Sequence, residues 1–141
     1  MVESRGNCLP NSANALNVGI QSYKRKGFEF FSDLSEAHKD AIGLTQLMKK
    51  DLLFWKKYGQ QVDIIDDKNT QNHLFKNIRE EIDSMFNSTQ GKGLNPYNLN
   101  FFSFCGHGLV NSSREAIFLV PQYNVKDDEW VIKTLNVDQE A

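Results

Sequence analysis

The chain has 141 residues, room for one domain and not comfortably for two. It is 40% hydrophobic, 24% charged and 11% aromatic, an ordinary mix for a globular domain with a core. The net charge of −2 argues against a nucleic-acid binder that relies on a broad basic face. No apolar run approaches the roughly 18 residues of a membrane span. The polar start MVESRGNCLPNSAN lacks the apolar stretch of a secretory signal. Cys8 and Cys105 make neither a disulfide framework nor a zinc quartet, so a reducing, cytoplasmic setting is expected.

Residues 1–14 read as a disordered leader, rich in Asn, Ser and Gly, and 15–141 as one domain. Ala15–Ile20 has the length and character of a strand. Tyr23-Lys24-Arg25-Lys26-Gly27 reads as a solvated basic turn. Asp33-Leu34-Ser35-Glu36 has the form of a capping box, with an acceptor at the N-cap and Glu three residues on. Ala37, Ala41, Leu44, Leu47 and Met48 follow on one helical face, and Lys49, Lys50, Lys56 and Lys57 sit late, as the helix dipole favours.

A break at Tyr58-Gly59 leads to a second strand, Val62–Ile65, and a turn over Asp66–Asn69. Asn69 or Thr70 can cap a second helix, whose stripe of Leu74, Ile78, Ile82 and Met85 predicts a core-facing side. Asn87–Gly93 reads as a flexible linker. Leu99, Phe101, Phe102, Phe104 and Cys105 then form a nearly continuous apolar run, which predicts a strand buried on both faces. Ala116–Val120 is a further strand closed by Pro121, Trp130–Ile132 a short edge strand, and Asn136–Gln139 the opening of another helix. Strand, helix, strand, helix, strand predicts an α/β fold with a parallel sheet and right-handed crossovers.

The residues with chemical potential lie at the end of the third strand, in Phe102-Ser103-Phe104-Cys105-Gly106-His107-Gly108. Active sites of open α/β sheets lie outside the carboxyl ends of the strands. A His between two glycines there can face a cleft and act as a base near neutral pH.

This segment resembles the strand-end motif of caspase-type cysteine peptidases, metacaspases above all, where the usual form is aromatic-Ser-Gly-His-Gly. Ala15–Ile20 resembles the family's first strand, and Leu34 to Asp40-Ala41 its Leu…Asn-Asp-Ala segment. Asn69-Thr70 with Ile78 resembles the start of its second helix, and Glu115 to Pro121 the stretch after its His. The resemblance spans about residues 15–137. It implies a three-layer caspase-like sandwich with a mostly parallel central sheet, incomplete on its C-terminal side. It also implies part of a cysteine endopeptidase working through a Cys–His dyad on a protein or peptide substrate.

His107 matches the family's catalytic His, and Gly108, with Gly106, would shape its loop. The nucleophilic Cys follows the His by about 50 residues in caspases, which puts it beyond Ala141. Cys105 is expected to pack as a small hydrophobe and Cys8 to lie on the polar leader. The resemblance gives Asp40 a place in a substrate pocket. Leu34 occupies the position of the caspase pocket Arg, which tips the preference toward substrates with Arg or Lys. It requires no cofactor, and admits calcium at Asp127 and Asp128, whose carboxylates are hard oxygen ligands. The expected partners are the substrate and a further segment or chain that completes the domain, with no nucleic acid and no membrane. The alternative is a catalytically inactive caspase-like regulatory or interaction module.

Overall fold

The computed structural model describes residues 12–52, 59–86 and 98–137. Strand β1 (Ser12–Gly19) is central in a parallel sheet of order β2-β1-β3, with β2 at Gly59–Ile65 and β3 at Asn98–Cys105. Helix α1 (Ala37–Lys50) connects β1 to β2, and α2 (Leu74–Phe86) lies between β2 and β3. Beyond β3, the strands β4 (Gly108–Val110), β5 (Ala116–Asn124) and β6 (Glu129–Leu135) form a second, antiparallel sheet. The α/β class, the parallel sheet and the strand–helix alternation follow the sequence pattern. The antiparallel sheet is an addition to it.

Side chains alternate across a strand, so β1 offers one face to each helix. Asn17 donates from Nδ2 to Thr45 Oγ1 of α1 at 2.9 Å, and a Cβ on Gly19 would collide with the Ala37 carbonyl and sit 2.9 Å from Ala41 Cβ. Only glycine lets α1 approach this closely. On the opposite face, Leu16, Val18 and Ile20 share one core cluster with Leu74, Ile78, Ile82 and Met85 of α2 and with Leu119, Val120 and Leu135 of the second sheet. The two helices therefore cover opposite faces of β1, as right-handed crossovers require. No described helix is long and apolar enough to cross a membrane.

Several expectations are corrected. Residues 12–14 belong to β1 rather than to a leader, because their backbones pair with β3 from Ser12↔Asn98 onward. Asp33 does not cap α1. Its Oδ1 accepts the amides of Tyr23 at 2.8 Å and Lys24 at 2.9 Å, and the N-cap residue is Glu36, without a side-chain cap. The buried stripe of α1 is Ala37, Ala41, Thr45 and Met48, whereas Leu47 is 43% exposed. Strand β3 is not buried on both faces: Phe102 and Phe104 pack inward, but Leu99 and Phe101 are 40% and 36% exposed. The cause is its place at the sheet edge, while α1 lies mainly over β1 and β2.

The turn at 23–27 is not simply solvated, since Tyr23 is fully buried and Arg25 is half-buried. Pro121 does not close its strand. β5 runs through it to Asn124, with Pro121 opposite Ile132. The linker at 87–93, Lys56, Lys57, Cys8 and the second half of the helix expected at 136–139 lie outside the described residues.

Candidate functional site

The sheet order makes the carboxyl ends of β1 and β3 the point where the chain leaves in opposite directions, a natural crevice. The loop from Ile20 to Glu36 runs over these ends, and several hydrogen bonds pin it. The Asp66 carboxylate, at the end of β2, accepts the amides of Gln21 at 2.8 Å and Ser22 at 2.9 Å. Its Oδ1 also lies 2.6 Å from His38 Nε2 on α1. The Leu34 amide donates to Gln21 O at 2.8 Å, and Asp33 holds the Tyr23 turn as described.

Tyr23 reaches from this loop under His107. Its hydroxyl donates to Leu119 O at 2.7 Å and accepts the His107 amide at 2.9 Å. Burial in this apolar setting pushes the phenol well above its usual range. The His107 ring meets the Tyr23 ring edge-on, with centroids 4.5 Å apart, and Phe31 at 5.4 Å. Its Nε2 lies 2.8 Å from the backbone carbonyl of Ser32. A carbonyl only accepts, so Nε2 carries a proton. In the neutral ring Nδ1 then holds the lone pair, and among the described residues it has no hydrogen-bond partner.

Gly106 shows why the motif needs a glycine. A Cβ there would run into the Tyr23 hydroxyl and sit 2.5 Å from Phe104 Cε1. Gly108 has a milder role, as the first residue of β4 opposite Phe118, where a Cβ would come 3.0 Å from Ile117 O.

An open cleft of about 560 Å³ adjoins this point, lined on the β3 side by Phe104, Cys105 and Gly106 and not by His107. Its lining carries three carboxylates, Asp33, Glu36 and Asp40, and no basic residue among the described residues. Asp40 is exposed in the first turn of α1, and Cys105 lies across the same cleft. Burial pushes the Cys105 thiol up and Asp40 adds to the effect, so it is a poor nucleophile. No hydrogen bond joins Cys105 to His107 among the described residues.

Asp127 and Asp128 stand apart from this constellation. They occupy the β5–β6 turn, beyond Asn124, whereas the backbone of His107 meets β5 at Leu119. Asn124 donates to Asp127 Oδ2 at 2.8 Å, and the Tyr123 hydroxyl donates to Asp128. Among the described residues no group of three or more His, Cys, Asp or Glu is arranged to hold a metal.

His107, Gly108, Asp40 and Cys105 thus fall around one end of the sheet, as their places in the sequence suggest. Tyr23, Phe31, Ser32 and Asp66 carry no such signal in the sequence. Ser32 contributes only a backbone carbonyl, which sequence cannot flag. Tyr23 is hidden among basic neighbours, and Asp66 stands in a segment that reads as an ordinary turn. In comparisons with known proteins, no family model, curated protein or solved structure matches the chain.

Proposed function

We propose that the chain forms the histidine-bearing part of a caspase-like cysteine endopeptidase domain. The observation that carries this reading is the His107 ring, held at the strand end by Tyr23 and by the Ser32 carbonyl with Nδ1 left as the base. In such an enzyme a thiolate attacks the scissile carbonyl. The imidazolium gives its proton to the leaving amine, and the neutral ring then takes one from the attacking water. The raised Cys105 thiol does not suit the first step, so the nucleophile comes from outside the described residues. The exposed edge of β3 is a place where a further segment or chain could add.

The three carboxylates of the cleft support a preference for Arg or Lys before the cut, with Asp40 in the pocket. Leu34, also in that lining, offers no positive charge for an acidic side chain. No cofactor is needed for this chemistry, and calcium at Asp127 and Asp128 would act only indirectly, from the distant turn.

The test is hydrolysis of peptides with Arg, Lys or Asp before the cut, by the complete protein. Cleavage after basic residues should fall about 10³-fold or more in His107→Ala. Retained activity in that variant overturns the role of His107. No cleavage of any peptide overturns the peptidase reading and favours a catalytically inactive interaction module, which the unreactive Cys105 already suits.

A further inference from the structure

A second cavity, of about 280 Å³, lies between the loop after β1, the end of β2 and the second sheet. It is more enclosed than the cleft beside Gly106. Arg25 and Lys68 line it, with Asp66, Asp67 and Trp130. The Arg25 guanidinium stacks over the Trp130 indole, 3.9 Å from the ring centroid. Its Nε is buried and has no hydrogen-bond partner. Among the described residues, neither Arg25 nor Lys68 is within salt-bridge distance of a carboxylate.

The two carboxylates in the lining are already engaged. Asp66 accepts from Gln21, Ser22 and His38, and Asp67 Oδ1 accepts the amides of Asn69 at 2.8 Å and Thr70 at 3.0 Å. Both oxygens of Asp66 and one of Asp67 thus meet donors that fix the turns. The guanidinium thus lies over the indole, and its buried Nε has no acceptor. A buried donor atom is seldom left so, because its lost hydration is not returned. Stacking on an aromatic face also leaves the edge of the guanidinium plane, with its fork of donors, free for an oxyanion.

We propose that this cavity binds an oxyanion, a phosphate or carboxylate group of a small solute, on Arg25 with help from Lys68. The cavity exceeds the ~30 Å³ that a water occupies in the liquid several-fold, so it has room for such a group. Ser22 and Gln71, also in the lining, are residues with neutral donors. The site is separate from the cleft beside Gly106 and does not depend on the peptidase reading.

The test is a nuclear magnetic resonance titration of the full chain with sodium phosphate, and in parallel with sodium acetate. Sodium chloride is the reference at matched ionic strength. A saturable shift of the Arg25 Nε–H and Trp130 indole N–H signals is expected for at least one oxyanion. Tighter binding of phosphate identifies a phosphate group as the ligand, and tighter binding of acetate a carboxylate. Arg25→Gln should weaken binding about tenfold, or ~1.4 kcal/mol, and Lys68→Gln by a smaller factor. Shifts no different from those with chloride overturn the proposal, as does unchanged affinity in Arg25→Gln. Should Arg25→Gln fail to fold, the shifts in the native protein and the Lys68→Gln affinity decide.

Discussion

The Tyr23 hydroxyl joins the loop after β1 to both flanks of His107, accepting the His107 amide at 2.9 Å and donating to the Leu119 carbonyl at 2.7 Å. Removing it in Tyr23→Phe leaves a buried carbonyl and an amide without partners. The expected cost is about 1–3 kcal/mol, read by chemical denaturation. A stability equal to that of the native protein would show that the bridge is idle.

The same phenol makes stability depend on alkaline pH. Its folded-state pKa is raised above the ordinary value of 10.0, chiefly by burial. The folded chain therefore holds this proton more tightly than the unfolded chain. The contribution is complete below the unfolded value and is lost as pH rises above it. Denaturation midpoints should fall as pH rises past about 10, and less so in Tyr23→Phe. Ultraviolet titration should show one tyrosine ionising only with unfolding. Ionisation of all tyrosines in the native fold would contradict this.

Gly106 carries the backbone where Tyr23, Phe104 and His107 converge. In Gly106→Ala the new methyl group meets the Tyr23 hydroxyl and the Phe104 ring, so one of them must move. We expect a loss of about 1–3 kcal/mol and a displaced His107 ring signal. Gly108→Ala, with a nearest contact at 3.0 Å, should cost less. Equal effects at the two positions would refute the assignment of the close approach to Gly106.

How far the sequence carries can be judged from particular residues. The stripe of Leu74, Ile78, Ile82 and Met85 is legible because a helical period and a buried face coincide there, and all four are buried. Asp33 misleads because an Asx side chain caps whichever amides fold back on it, and the Tyr23 turn competes with the helix for its Oδ1. The apolar run of β3 misleads differently: composition alone does not distinguish a strand covered on two faces from an edge strand with a partly open face. The place of His107 is legible from its glycines and the strand before it. The groups that fix its ring are not, since one is a backbone carbonyl and another a tyrosine from a loop remote in sequence.

Cys105 offers a check on the charge of the cleft. Its thiol is raised by burial and then by Asp40. With Cys8 replaced by Ser, alkylation near neutral pH should be slower than for a free thiol. Asp40→Asn should speed it, because loss of the negative charge lowers the thiol pKa. An unchanged rate would remove Asp40 from the surroundings of Cys105.

The most direct measurement is the tautomer of His107, from the nitrogen chemical shifts of its neutral ring. The Ser32 carbonyl requires the proton on Nε2 and leaves Nδ1 as the base. The account predicts a protonated Nε2 and an unprotonated Nδ1, with the Nε2–H form populated more completely than in the unfolded chain, where no carbonyl holds the ring. A proton found on Nδ1 in the native protein would contradict the geometry on which the proposed role of His107 rests.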